Sequence, residues 1–343
     1  MVGRAALGRA TGVRAGRPYD RTLVSTEPRP RVAVTRQLPG TALDRLREVA
    51  EVVVWPERRP PQGDELVELV RGTQGLITML TDRIDATVLD AAPELRVVAN
   101  LAVGYDNLDV AELARRGIPA ANTPGVLTDA TADLAWALLL GAMRRVREGL
   151  DAVRDGGWLT WEPDWLLGHG VAGATLGIVG FGRIGAAVAR RARGFDMEVL
   201  AWSRTRKDVE GVTFVELDEL LERSDVVSLH CALTAETRGL IGADQLARMK
   251  PTAVLVNTAR GPVVDQAALA DALDAGTIFA AGLDVFDEEP VPTDDRLVQH
   301  PRCLVLPHLG SATVATRTTM ADMVVNEVLA GLAGRPLTNP IPT

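Results

Sequence analysis

The stretch GIVGFGRIG, residues 177–185, joins an apolar run, Thr175 to Val179, to a helical pattern, Ile184 to Phe195. A second apolar strand pattern, Met197 to Trp202, follows directly. Strand, glycine turn, helix, strand is the order in which G-x-G-x-x-G binds a dinucleotide. Gly180 allows the tight turn, Gly182 lets a pyrophosphate approach the backbone, and Gly185 lets the helix pack on the strand. Phe181, Arg183 and Ile184 complete the turn, and the helix start offers free N–H groups and a positive dipole end to the anion. Without the flanking elements the same residues would read only as a tight turn.

Working outward, the 343 residues are 47% apolar, enough for two cores. The net charge of −8 and pI near 5.2 argue against nucleic acid as the main partner. No apolar run reaches membrane-spanning length without charges or glycine. Cys231 and Cys303 are the only cysteines, with no C-x-x-C and no histidine at metal spacing. A reduced, cytoplasmic protein with no metal is expected. Residues 1–36 depart from the acidic balance, with eight arginines against Asp20 and Glu27. Residues 1–28 read as a disordered leader. An Arg-rich transit peptide ranks second, because no amphipathic pattern accompanies the charge.

Upstream, strand patterns at Val32–Val34, Val52–Trp55, Gly75–Leu80, Leu95–Val103 and Ile118–Ala121 alternate with helical ones at Thr41–Ala50, Asp64–Val70, Asp85–Ala91 and Leu108–Arg116. Such alternation predicts a parallel sheet covered on both faces, with ligands at the carboxyl ends of its strands. Leu80, Val103 and Gly104 lie at such ends and are candidate substrate contacts. After the Pro/Gly boundary Asn122–Gly125, Thr128–Val153 reads as one long helix, followed by Trp158, Trp161 and Trp165. This helix and the aromatic segment predict a homodimer interface.

Downstream, strands at Met197–Trp202, Val226–Cys231, Ala253–Asn257, Ala280–Val285 and Leu304–Leu306 join Thr175–Val179 in a six-stranded dinucleotide sheet. Helices at Leu217–Arg223, Ala243–Met249 and Asp265–Ala275 separate them. The helical pattern Ser311–Ala333 comes too late for this sheet and is expected to return to the first domain. The fold expected is α/β, with two doubly wound parallel-sheet domains. A Rossmann cofactor domain, 125–310 with the dimerisation helix 128–153, is inserted in a flavodoxin-like substrate domain, 29–124 plus 311–343.

NAD-specific folds place an acid at the end of the second strand, on the ribose hydroxyls. Here Val199 to Lys207 holds none, and Ser203, Arg204 and Thr205 stand there instead. An arginine loop without a carboxylate suits a 2′-phosphate, so NADP is preferred over NAD.

Three charged residues follow strands of this domain: Arg260 in VNTARGP, Glu289 in GLDVFDEEP and His308 in VLPHLGSAT. Reduction of a 2-oxo acid needs a proton for the carbonyl oxygen and a cation for the carboxylate. Histidine donates the proton near neutral pH, a glutamate beside it favours its charged form, and arginine clamps the carboxylate. His169, His230 and His300 lack such a context.

With VGYDN, GIVGFGRIG, NTARGPVVD, GLDVFDEEP and LPHLGSAT in this order, the chain resembles the D-isomer-specific 2-hydroxyacid dehydrogenases over residues 30 to 335. The resemblance implies a catalytic trio of Arg260, Glu289 and His308, with Arg260 and His308 also on the substrate. It implies that Asp284 meets the nicotinamide end of the cofactor. It also implies cofactor contacts from Leu233, Thr258, Ala259, Arg260, His308 and Gly310. WEPDWLLG and WSRT resemble the glyoxylate/hydroxypyruvate reductases, which implies a small 2-oxo acid as substrate and glycolate or D-glycerate as product. Formate dehydrogenases of the family carry Gln where Glu289 stands. Two other readings remain: a dehydrogenase for another D-2-hydroxy acid, and a nucleotide-sensing binding protein like the co-repressors that share these motifs.

Overall fold

The computed structural model describes residues 28–342, so the leader expected at 1–28 lies, but for Pro28, outside the described residues. The first domain runs β1 (Arg31–Val34), α1 (Ala42–Val49), β2 (Glu51–Val54), α2 (Asp64–Val70), β3 (Gly75–Thr78), α3 (Ala86–Asp90), β4 (Val97–Asn100), α4 (Val110–Arg115) and β5 (Ala120–Ala121). Its strands form one parallel sheet in the order β2-β1-β3-β4-β5, the flavodoxin-like order. Side chains alternate across the sheet. Ala33, Leu76 and Val98 pack beneath α2, α3 and α4 with Leu66, Val88 and Leu113. Asp85 and Asp109 start α3 and α4 by accepting hydrogen bonds from backbone N–H groups of the first turn.

The second domain follows: α5 (Thr128–Met143), α6 (Val146–Arg154), β6 (Thr175–Val179), α7 (Arg183–Ala192), β7 (Glu198–Trp202), β8 (Thr213–Phe214), α8 (Leu217–Arg223), β9 (Val226–Leu229), α9 (Ala243–Arg248), β10 (Val254–Asn257), α10 (Gln266–Asp274), β11 (Ala280–Leu283), α11 (Arg296–Gln299) and β12 (Cys303–Val305). These strands form a parallel sheet in the order β12-β11-β10-β9-β6-β7-β8. The order reverses between β6 and β9, and a cleft opens at such a reversal. The sheet has seven strands rather than six. The extra one, β8, is two residues long and carries too little apolar pattern to read in the sequence.

The expected single helix at 128–153 is two helices. α5 ends because Arg145 takes a left-handed backbone, φ 52°, and the Met143 carbonyl accepts from the His169 N–H at 2.9 Å. α6 restarts with the Arg145 guanidinium on the Glu148 carboxylate at 2.6 and 2.8 Å. The two halves also differ in burial. Ala135, Leu138 and Leu139 of α5 are buried in the core of this domain, whereas no residue of α6 is buried. Of the stretch expected at an interface, α6 is the part with no buried residue.

The last helix, α12 (Val314–Leu332), leaves the second sheet and covers the free face of the first. Ala321, Val324, Val325 and Val328 pack there with Val32, Val34 and Ile77, and with Leu43 and Leu46 of α1. Beyond it, Glu327 accepts from the backbone N–H groups of Thr338 and Asn339, and Pro340 pairs with Ala121. The chain therefore crosses between the sheets twice, before α5 and before α12.

Candidate active site

The turn after β6 explains its glycines. Gly180 has φ +97°, and a Cβ there would strike the backbone of Cys231. A Cβ at Gly185 would overlap the Gly180 carbonyl, so only glycine lets α7 sit this close to β6. At Gly182 a Cβ would meet no protein atom within 4 Å. Gly182 is also the N-cap of α7 and has no side chain to cap it. Open space beside uncapped helical N–H groups is the cradle a pyrophosphate needs, so the residues present fit a dinucleotide.

A cavity of about 590 Å³ extends from this turn along the carboxyl ends of the strands. Gly182, Arg183 and Ile184 line one end with Arg204, and Leu233, Thr258 and Ala259 line its middle. Asp284, His308 and Gly310 line the other end, with Val103 and Gly104 of the first domain opposite. Gly180, Gly185 and Phe181 stand behind the wall: the Phe181 ring is buried edge-on against Phe214. The Phe181 carbonyl accepts from Lys207 Nζ at 3.0 Å, which ties the basic turn to the glycine turn. Of the three residues expected at the ribose, only Arg204 lines the cavity, and Ser203 and Thr205 do not.

A second cavity, about 610 Å³, opens between the domains, with Pro60–Asp64 on one side and Phe286, Asp287 and Glu289 on the other. The two cavities share five lining residues: Leu80, Asp106, Leu233, Arg260 and His308. Four of the five were expected on substrate or cofactor; Asp106 was not.

At this junction Glu289 Oε2 lies 2.7 Å from His308 Nδ1. Glu289 Oε1 accepts from the Phe286 N–H at 3.0 Å. Burial alone would raise the Glu289 carboxyl. The His308 hydrogen bond and charge, the Phe286 N–H and the Arg260 charge outweigh it and hold Glu289 below its ordinary range. With Nδ1 so engaged, Nε2 is the ring nitrogen left to exchange a proton. His308 has φ +55°, a left-handed backbone rare for a side-chain-bearing residue. Its own N–H donates to the Asp284 carbonyl at 2.9 Å. The Asp284 carboxylate accepts from the Leu309 and Gly310 N–H groups at 2.6 and 2.8 Å. The Gly310 carbonyl accepts from Thr131 Oγ1 at 3.1 Å. Burial, only partly offset by those bonds and the His308 charge, pushes Asp284 up to about 6. Asp284 thus both lines the cavity and holds the loop that carries His308.

Arg260 leaves β10 through a turn held by Asn257, whose Nδ2 donates to the Arg260 carbonyl at 2.9 Å. Its Nη1 donates to the Ala259 carbonyl at 2.8 Å, and its Nε to Asp106 Oδ1 at 3.1 Å. Gly104 leaves room for this guanidinium: a Cβ there would overlap Nη2. The small residue expected to admit substrate therefore first admits Arg260.

Besides Asp106, the sequence reading missed the asparagines that lock the first domain's loops. Asn107 Nδ2 donates to the Met79 and Asp82 carbonyls at 2.9 and 3.0 Å, and Asn100 Nδ2 donates to the Gly104 carbonyl at 2.9 Å. These bonds tie the loop of Leu80 to the loop of Gly104, and Asn107 in VGYDN was the available signal. His230 sits between Ser228 and Thr258, with Nε2 2.8 Å from Ser228 Oγ. Burial lowers it to about 4, so it is neutral at pH 7. Among the described residues no group of acids, histidines and cysteines is placed to hold a metal.

Comparison with known proteins agrees with this fold. The family profile described as D-isomer specific 2-hydroxyacid dehydrogenase, NAD binding domain, matches residues 136–310. The chain is 52% identical over 307 residues to a glyoxylate reductase of Korarchaeum cryptofilum, spanning 88% of this chain and 92% of that one. It is 51% identical over 310 residues to a glyoxylate reductase of Thermococcus kodakarensis, spanning 88% and 93%. Among solved structures, an NADPH-dependent glyoxylate/hydroxypyruvate reductase of Sinorhizobium meliloti, in complex with NADP and malonate, aligns with TM-score 0.80 at 36% identity, over 91% of this chain and 97% of that one. A Thermus thermophilus protein aligns with TM-score 0.87 at 50% identity, over 91% and 100%. The glycine turn, the inserted sheet and these relatives together place the chain in the family of D-isomer specific 2-hydroxyacid dehydrogenases.

Proposed function

We propose that this protein reduces glyoxylate and hydroxypyruvate to glycolate and D-glycerate, with NADPH preferred over NADH, as a cytoplasmic homodimer. The observation that carries the reading is the meeting of the dinucleotide cavity and the interdomain cavity at Arg260 and His308. A bound reduced nicotinamide supplies the hydride for the carbonyl carbon. The chain's own residues supply the rest. Arg260 pairs with the substrate carboxylate through its Nη groups. His308 Nε2 gives its proton to the carbonyl oxygen, while Glu289, held ionised, stabilises the charged ring from Nδ1. Asp284 fixes the His308 loop through Leu309 and Gly310. Leu80, Val103 and Gly104 form the substrate-domain wall at which the small acid rests. Gly182, Arg183, Ile184, Leu233, Thr258 and Ala259 line the path of the dinucleotide.

Relatives named glyoxylate reductase at about half identity support the substrate, and the NADP-bound relative supports the cofactor class. Arg204, lining the cavity with no acid from Val199 to Lys207, supports NADPH over NADH. The His308–Glu289 pair favours an enzyme over a nucleotide sensor, which needs neither group. The two free cysteines suit a reducing compartment, and no helix among the described residues is long and apolar enough to cross a membrane. The exposed side of α6 and Trp158 and Trp161 beyond it support pairing with a second copy.

The test is steady-state kcat/KM for glyoxylate, hydroxypyruvate, pyruvate and a branched 2-oxo acid, each with NADPH and NADH. Glyoxylate or hydroxypyruvate is expected to lead the panel. NADPH is expected to lead by about tenfold, the equivalent of one charge-assisted bond from Arg204. Arg204→Asp removes the cation at the cavity wall and puts a ribose acceptor and a like charge against phosphate in its place, and should reverse the preference. A tenfold lead for NADH in the unmodified protein would refute the phosphate reading.

A further inference from the structure

Asp106 is the one residue at the junction of the two cavities that the reaction as described leaves without a task. It stands on the loop after β4 in the first domain, whereas Arg260 follows β10 in the second. Across the cleft its carboxylate takes the Arg260 Nε–H, at 3.1 Å to Oδ1 and 3.4 Å to Oδ2. Nη1 is held by the Ala259 carbonyl at 2.8 Å, and Nη2 lies in the space left by Gly104. Arginine has five N–H donors in a fixed plane, so anchoring Nε and one Nη1 donor fixes the orientation of the rest. The donors left over are one on Nη1 and two on Nη2.

We propose that Asp106 is the positioning residue for Arg260, acting from the opposite domain, so that the anion-binding fork is assembled across the cleft from both domains. The proposal rests on the reading of Arg260 as the group that binds the substrate carboxylate. Two effects of Asp106 compete. Its charge opposes an incoming carboxylate, and its hydrogen bond orders a long side chain before substrate arrives. The Asp106 side chain is 42% exposed, so water screens the repulsion. The Arg260 side chain is 23% exposed and already held at Nη1, so the ordering is retained. Ordering therefore outweighs repulsion, and Asp106 strengthens carboxylate binding despite its sign. The neighbouring loop is built to keep it in place, since Asn100 and Asn107 bond across residues 104 to 107.

The experiment is titration calorimetry of oxalate, a planar carboxylate, into the NADP⁺-saturated full-length protein, alongside KM and kcat for glyoxylate. Asp106→Ala should weaken oxalate and raise KM for glyoxylate by about tenfold, the equivalent of ~1.4 kcal/mol, with KM for NADPH unchanged. Asp106→Asn keeps an acceptor oxygen and should stay within about threefold of the parent. In an Arg260→Lys background the fork is already lost, so Asp106→Ala should add less than about twofold; residues acting through one another are non-additive. A general structural defect would instead add in full and would move KM for NADPH too. Oxalate binding equal or tighter in Asp106→Ala, additive losses in the double variant, or no oxalate binding by the parent protein would each overturn the proposal. A parent that binds oxalate with the expected cycle yet fails to reduce glyoxylate and hydroxypyruvate would overturn the substrate reading and leave Asp106 in its role.

Discussion

His308 shows how a residue's backbone and its chemistry are set together. Its left-handed backbone is held from three sides: its N–H on the Asp284 carbonyl, the next two N–H groups on the Asp284 carboxylate, and its ring on Glu289. His308→Ala or Glu289→Gln should lower kcat by about two to four orders of magnitude, the usual worth of general acid catalysis. The affinity for NADPH should hardly change. Near-native kcat in His308→Ala would remove the residue from the mechanism. Asp284 carries a pH signature of its own. Its carboxyl titrates at about 6 in the folded protein against 3.8 without the fold's influence. Within that window the folded chain holds more protons than the unfolded one, so raising the pH removes stability. Glu289, held below its ordinary range, contributes with the opposite sign, and its stabilisation is lost as pH falls. Comparison with Asp284→Asn isolates the first contribution. The Tm of the variant relative to the parent should rise between pH 4 and pH 6, and a falling difference by scanning calorimetry would contradict the burial account.

At the scale of the element, the strand–turn–helix of β6 and α7 separates two uses of glycine. Gly185 serves packing, because a Cβ there would overlap the Gly180 carbonyl and lie 3.1 Å from the Ile178 side chain. Gly182 faces space with no protein atom within 4 Å, and its φ of −85° suits any residue. Gly185→Ala should therefore cost stability, about 1–3 kcal/mol as for other overpacked sites. Gly182→Ala should leave Tm near that of the parent and weaken NADPH by about tenfold or more. Thermal melts and a fluorescence titration with NADPH distinguish them. A Gly182→Ala protein that melts early but binds normally would reverse the assignment.

For the whole molecule, the side of α6 is an exposed apolar feature among the described residues. Val146, Leu150 and Val153 recur at helical spacing and stay exposed, with Leu159 and Trp161 beyond them at 87% and 80% exposure. Trp161 lines neither cavity of its own chain. A two-fold dimer would cover these side chains, the commonest assembly for soluble proteins. Light scattering at micromolar concentration should give twice the chain mass of 36.6 kDa. Leu150→Asp with Val153→Asp should bring it to a single copy, and a single-copy mass in the unmodified protein would refute the pairing.

Local chemistry was legible in the sequence because it is written in neighbouring residues. The helices Asp64–Val70 and Leu217–Arg223 and the strand Thr175–Val179 have in the structure the bounds that their apolar periods predict. The glycine turn and the three charged residues after strands were visible because a parallel sheet places its ligands where its strands end. What was not legible depends on partners far along the chain. The break between α5 and α6 needs the His169 N–H to cap Met143, and the run Met143 to Val146 holds neither glycine nor proline to announce it. β8 exists only by pairing with β7, since two residues carry no period. Asp106 and Arg260 stand 154 residues apart. Local pattern and turn chemistry in the sequence by itself therefore named Arg204, Arg260, Glu289 and His308 as groups lining the cleft, but not Asp106. Only the tertiary structure decided which of them hold one another, because a hydrogen bond at 3 Å between two domains leaves no trace in the spacing of either.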